Sequence, residues 1–471
     1  MVRGMSGKVT SEVIEALKSI VGAENILTDK ASLSLYSKGA VEWVVSMPDV
    51  IVFPENTEQV SKIVKLAYER EIPVIPRGGG SSVTGAVVAL KGGIIIDFRR
   101  MNKITVDIDN GYVIAEAGAT ILEVNNELKK YGFFFPPDPA SERIATVGGA
   151  LAENSGGMRC AKYGLMKDWV LKLEVVLADG TVTTFGGATY KERAGFNLVG
   201  LIIGSEGTLA IITKAWLKIA PMPEATAIIA GFFNDLRSAG KTIFEIRKRG
   251  IDPLILEYAD KEGIAAANKI KKTSYSEVDG GMVLVSVGGP AKAIDDLAER
   301  VVNIMKEFGA YQVYRPKTVA EREEILDIRR IAFTAPGQFY PGFIDMDIVV
   351  PLSKIEDALA IVDQVRKKYN VYIAIAGHAG DGNLHPNIGV DPANKDEWER
   401  GHKAARELME AAINLGGSFT AEHGVGKTRE EIFVKQLEVK GQLPMLKLMR
   451  EIKKVFDPKN ILNPGKFALE G

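Results

Sequence analysis

Residues 72–85 read Ile-Pro-Val-Ile-Pro-Arg-Gly-Gly-Gly-Ser-Ser-Val-Thr-Gly, a short apolar strand that runs straight into a glycine-rich turn. Glycine tolerates the positive φ values of a concave nest, so such a run can aim bare backbone N–H groups at an anion. A pyrophosphate is the natural guest. The run has no Walker lysine and no GxGxxG opening a helix, so the P-loop and Rossmann readings are poor. On its own it also reads as an ordinary flexible loop.

Working outward, Pro137-Asp-Pro-Ala-Ser141 leads into Thr146-Val-Gly-Gly149 and Asn154-Ser-Gly-Gly157, and Gly204-Ser-Glu-Gly-Thr-Leu209 follows. Dense glycine at several loops of one region means that backbone approaches something closely in several places, as it would around an extended dinucleotide. Between these loops the spacing predicts a strand at 50–53, a helix over 58–70 and strands at 93–98, 104–108 and 112–117. The helix follows from Val60, Ile63, Val64 and Ala67 at i, i+3, i+4 and i+7. A hairpin over 171–185 is expected to turn on Asp179-Gly180 in a two-residue loop. Beyond Pro221 and Pro223 the glycine density falls. There a helix at 236–249, a strand at 282–288, a helix at 291–308, an Arg-bearing helix after 316 and strands at 344–350 and 371–376 mark a second region.

The bulk numbers narrow the function. A chain of 471 residues can hold more than one core. With 59 Lys plus Arg against 60 Asp plus Glu there is no basic field for nucleic acid, and small-molecule chemistry is the expectation. The single cysteine, Cys160, excludes an intrachain disulfide and a four-cysteine cluster held by this chain alone, so any iron–sulfur relay belongs to another subunit. No signal-peptide core and no apolar run near the roughly 20 residues of a membrane span are visible. The expected location is cytoplasmic, with attachment to a membrane only through a partner.

Gly377-His-Ala-Gly-Asp-Gly-Asn-Leu-His-Pro-Asn387 carries the chemistry. If Asp381-Gly382 forms a type I′ turn, His378 faces His385 across a hairpin and both imidazoles share one face. Opposed Cβ atoms roughly 4.5 to 5.5 Å apart let two rings reach one metal ion. A carboxylate is then expected, and Phe419-Thr-Ala-Glu-His-Gly-Val-Gly-Lys427 supplies Glu422 beside His423. The competing readings are a stacked histidine pair and a solvated strand end. His402, on a charged helix, reads as surface.

The glycine blocks at 76–82, 136–157 and 204–209 resemble the FAD domain of the vanillyl-alcohol-oxidase superfamily, and Phe456-Asp-Pro-Lys-Asn-Ile-Leu-Asn-Pro-Gly-Lys466 resembles the C-terminus of its glycolate oxidase, D-lactate dehydrogenase and D-2-hydroxyglutarate dehydrogenase branch. The likeness runs from about Leu33 to Phe467. It implies an α+β fold: a PCMH-type FAD-binding domain over 1–218, a substrate or cap domain with an antiparallel sheet over 219–425, and a helical segment, 426–471, that returns to the FAD domain. The cofactor residues it implies are Arg77, Gly78, Gly79, Gly80, Ser81, Ser82, Pro137, Ser141, Thr146, Gly148, Gly149, Asn154, Gly156, Gly157, Ile212 and Asn463. The flavin should be non-covalent, because no histidine stands near Ser81. Ala210 replaces a usual glycine and is read as a packing change.

The same resemblance makes His378, His385 and Glu422 ligands of a divalent metal, with zinc favoured and Mn or Fe(II) open, His423 the acid/base, Arg329 the fork for the substrate carboxylate and Asn387 a nearby polar contact. The implied reaction is oxidation of a small 2-hydroxy acid, D-lactate or glycolate, to the 2-oxo acid, with the hydride passing to flavin N5. Asp345, where D-2-hydroxyglutarate enzymes carry a lysine, weakens a dicarboxylate substrate. A non-redox alkylglycerone-phosphate synthase on the same fold is the alternative, and a flavin-free metal hydrolase or oxygenase leaves the glycine blocks unexplained. The electron acceptor stays open among a quinone, an electron-transfer flavoprotein, oxygen and an iron–sulfur partner, as does a homodimer.

Overall fold

Apolar residues on both faces of the strands, with amphipathic helices between them, build two compact units in the computed structural model, which describes residues 7–40 and 43–470. Unit 1 comprises Met1–Gly156, Leu165–Met222 and Glu422–Gly471; unit 2 comprises Gly157–Gly164 and Pro223–Ala421. Among the described residues no helix is long and apolar enough to cross a membrane.

Unit 1 holds two main sheets. In the first, Val50–Val52, Ile94–Asp97 and Val74–Arg77 run parallel, with Ile26–Leu27 added antiparallel at the edge. The Thr57–Arg70 helix crosses over it, started by the Asn56 side chain on the Gln59 N–H, and buries Val60, Ile63, Val64 and Ala67. The second sheet is antiparallel, in the order Ile104–Asp107, Tyr112–Glu116, Ile211–Lys218, Val170–Val176, Val182–Gly186. Its last hairpin is wider than the expected two-residue turn. Leu177 N–H donates to Thr181 O at 2.9 Å around Ala178, Asp179 and Gly180, with Gly180 at φ 88°. The cause is local: Asp179 Oδ1 accepts from Thr181 N–H, and Ser61 Oγ on the crossover helix donates to Gly180 O at 2.6 Å.

Unit 2 is built on an eight-stranded sheet whose path is Ala310–Tyr314, Ala225–Phe233, Met282–Gly289, Ile255–Ala259, Tyr372–Gly377, Asn383–Val390 and Gly342–Ile344, with Ile348–Val349 also on Asn383–Val390. Every pairing is antiparallel. Side chains alternate with period two. Val283, Val285 and Val287 enter the core under the helices 236–248, 294–307, 355–369 and 395–414, whereas Met282 and Leu284 enter the core under 261–271 and 319–334. Leu256 and Tyr258 belong to the first core, so Glu257 faces the second. By the same alternation Leu384 and Ile388 face the first core, and His385 and Asn387 face the Val319–Thr334 helix. This face carries the polar site.

Candidate functional site

The unit 2 site begins where a strand breaks. The continuous strand expected at 344–350 divides into Gly342–Ile344 and Ile348–Val349, although Ile344↔Ile388 and Ile348↔Leu384 keep one register. In the gap, side chains of the neighbouring strand take over the backbone's hydrogen bonds. Met346 N–H donates to Asn387 Oδ1 at 2.9 Å, and Met346 O lies 3.0 Å from His385 Nδ1. A proton on that nitrogen leaves the lone pair on Nε2. Asn387 also donates through Nδ2 to Phe333 O at 2.8 Å and is fully buried, so its amide is engaged with backbone on both sides. Its position makes it a brace between strand and helix.

The histidine hairpin differs from the expected two-residue turn. Ala376, not His378, pairs with His385, and the loop spans His378 to Gly382. Three anchors widen it: Gly380 N–H donates to Leu256 O at 2.8 Å, Asn383 Nδ2 to Asp347 Oδ1 at 2.8 Å, and Asn383 Nδ2 to Ile348 O at 3.0 Å. The slip is an even number of residues, so the facing is preserved. The two imidazoles lie with centroids 5.2 Å apart at 85°.

His378 Nδ1 lies 2.9 and 3.0 Å from the two carboxylate oxygens of Glu257, and Arg329 Nε donates to Glu257 Oε2 at 2.5 Å. Glu257 and Asp347 are residues that sequence reasoning missed. Both are almost wholly buried. Asp347 also accepts from Thr420 Oγ1 at 2.6 Å and Ala421 N–H at 2.8 Å. That pins the end of unit 2, and the next residues along the chain are Glu422 and His423. His402 is half-buried against Trp398, with ring centroids 4.4 Å apart, and not simply on the surface.

Unit 1 contains a narrow cleft. Of the residues expected at a cofactor, Arg77, Gly78, Thr146, Gly148, Gly149, Ile212 and Asn463 line it. Gly79, Gly80, Ser81, Ser82, Pro137, Ser141, Asn154 and Gly156 lie outside its walls, and Gly157 falls in unit 2. A Cβ on Gly78 would sit 2.1 Å from Thr146 Oγ1, and one on Gly148 would sit 2.7 Å from Ala117 Cβ, so the walls are backbone by necessity. Glu153 Oε2, Ser205 Oγ and Asn463 Oδ1, all from cleft residues, are buried without a hydrogen-bond partner. Buried polar atoms normally find one. Bare backbone and orphaned polar atoms together fit a guest with hydrogen-bonding edges.

Glu206, also in the wall, stands in the sequence inside the glycine block 204–209. It accepts from Val425 N–H at 2.8 Å and from Gly426 N–H at 3.0 and 2.9 Å, so it anchors the loop that begins with Glu422 and His423. Burial pushes the Glu206 carboxyl up, against the pull of those N–H groups; burial, followed by the Glu206 charge, pushes Glu153 up as well. His423 Nε2 lies 3.8 Å from Glu422 Oε1.

Residues 48–186 match the family model described as FAD binding domain, and residues 222–467 match FAD linked oxidases, C-terminal domain. The chain is 36% identical to glycolate oxidase subunit GlcD of Bacillus subtilis, over 97% of this chain and 97% of that one. It is 36% identical to a D-lactate dehydrogenase of Archaeoglobus fulgidus, over 88% of this chain and 90% of that one. Among solved structures, p-cresol methylhydroxylase with substrate bound superposes with a TM-score of 0.80 at 19% identity, over 97% of this chain and 96% of that one. An alkyldihydroxyacetonephosphate synthase superposes with a TM-score of 0.75 at 22% identity, over 97% and 86%. The last two are likenesses of fold.

Proposed function

This chain belongs to the FAD-linked oxidase family, and on that premise we propose that it oxidises a small 2-hydroxy acid, D-lactate or glycolate, to the 2-oxo acid. Relatives named as a glycolate oxidase subunit and a D-lactate dehydrogenase support the substrate class. The observation that carries the reading is the buried polar face of unit 2, where a guanidinium and two imidazoles stand together with the Nδ1 atom of each ring already engaged.

When bound, FAD supplies an acceptor for the electron pair of the substrate's α C–H bond. A divalent ion held by His378, His385 and Glu422 would supply Lewis acidity that lowers the pKa of the substrate hydroxyl. Arg329 orients the substrate through its carboxylate, for which a planar guanidinium is the right shape. His423 accepts the hydroxyl proton at a ring nitrogen, and an imidazole is a base matched to neutral pH. Asn387 holds the Met346 backbone, and through it His385, in place. The wall residues Arg77, Gly78, Thr146, Gly148, Gly149, Ile212 and Asn463 would hold the flavin without a covalent bond.

The test is an assay of purified protein with an artificial electron acceptor and a panel of D- and L-2-hydroxy acids, with the 2-oxo acid quantified. One equivalent of product per electron pair from D-lactate or glycolate supports the reading. Turnover confined to substrates without a 2-hydroxy acid would refute it.

A further inference from the structure

We infer that Glu257 is the positioning residue of this site: one buried carboxylate fixes both the ring nitrogen that His378 presents and the edge that Arg329 presents. The inference rests on the proposed function for what those two groups do. It rests on the structure for how they are held.

Glu257 sits in the Ile255–Ala259 strand with no exposed surface. A buried carboxylate persists only when it is paired and hydrogen-bonded. Its partners are Arg329, through Nε at 2.5 Å, and His378, through Nδ1 at 2.9 and 3.0 Å from its two oxygens. A bare nitrogen lone pair facing a carboxylate at that range would be repelled, so Nδ1 carries a proton, and in the neutral ring the lone pair is on Nε2. A carboxylate behind the ring also raises the donor strength of Nε2, the arrangement commonly found behind metal-bound histidines. The same oxygens commit Arg329 Nε, and Arg329 Nη2 lies 3.5 Å from His378 Nδ1. With Nδ1 carrying the proton, His378 does not accept from Nη2, so Glu257 commits the Nε position of the guanidinium. Glu257 thus joins the carboxylate fork to the imidazole, and nothing else in its strand offers a charge.

The experiment compares the purified full-length flavoprotein with its Glu257→Gln variant, which keeps size and loses charge. Affinity for Zn2+ is measured by competition with a chelator, alongside KM and kcat for D-lactate and the thermal unfolding midpoint. The expected result is Zn2+ affinity lowered about 10- to 100-fold and KM raised about 10-fold or more, with a smaller change in kcat. A merely structural carboxylate would lower the midpoint and leave both quantities unchanged in the folded fraction. A folded Glu257→Gln protein with wild-type Zn2+ affinity and KM would overturn the inference. If that variant does not accumulate folded, Glu257→Asp decides: weakened Zn2+ binding supports the inference, and wild-type binding overturns it. A wild-type protein that neither binds Zn2+ nor oxidises a 2-hydroxy acid would overturn the proposed function instead, and this inference with it.

Discussion

The cleft of unit 1 and the polar face of unit 2 are built in opposite ways. The cleft is made by omission: Gly78 and Gly148 lack side chains, and Glu153, Ser205 and Asn463 leave polar atoms unsatisfied. The polar face is made by saturation, with the Nδ1 atoms of His378 and His385 and the amide of Asn387 already engaged within the unit. The contrast teaches how each site is stabilised. A site of bare backbone depends on its guest for its last hydrogen bonds, whereas a saturated network is rigid in advance and needs only to be completed.

The largest expected effect comes from removing the proposed base. His423→Ala should lower kcat by about 10²- to 10⁴-fold while the flavin spectrum stays normal, measured by steady-state turnover and absorbance. An unchanged kcat would remove His423 from the chemistry. Arg329→Ala should raise KM for D-lactate by at least about 30-fold, the equivalent of about 2 kcal/mol for stripping one partner from a buried pair.

The comparison sharpens if one site can be broken without the other. Gly148→Val places a branched side chain where even a Cβ meets Ala117 Cβ at 2.7 Å. Purified protein should then carry little FAD by the ratio of 450 to 280 nm absorbance, yet keep wild-type Zn2+ affinity. Loss of both together would mean that the sites do not form separately.

The smallest effect is on stability. The Glu206 carboxyl, ordinarily at 4.5, is pushed up to about 7 by burial. A group raised on folding holds its proton in the folded chain while the unfolded chain has lost it, so its contribution is full below pH 4.5 and is lost as pH rises to about 7. The unfolding midpoint of the wild type, taken relative to Glu206→Gln, should therefore fall across that window. A relative midpoint that rises with pH would contradict the assignment.

The sequence exposes the helix over 57–70 because burial there follows the local period, and the strand at 282–289 because it is a short continuous apolar run. The glycine loops and the two histidines of 377–387 are visible for the same reason: their spacing alone limits what they can be. Glu257 is hidden because it stands in an otherwise ordinary Ile-Leu-Glu-Tyr-Ala strand, 121 residues from the histidine it holds. The widened hairpin is hidden because Asn383 and Asp347, 36 residues apart, set it through side chains. The broken strand at 345–347 likewise depends on His385 and Asn387 taking the place of a backbone ladder. Contacts between distant side chains leave no periodic trace.

The most direct test is the flavin absorbance of the purified protein on anaerobic addition of D-lactate or glycolate, with and without prior chelation. Bleaching by one of these acids, slowed after chelation, is the expected result. A flavin that stays oxidised with every D- and L-2-hydroxy acid offered would contradict the account.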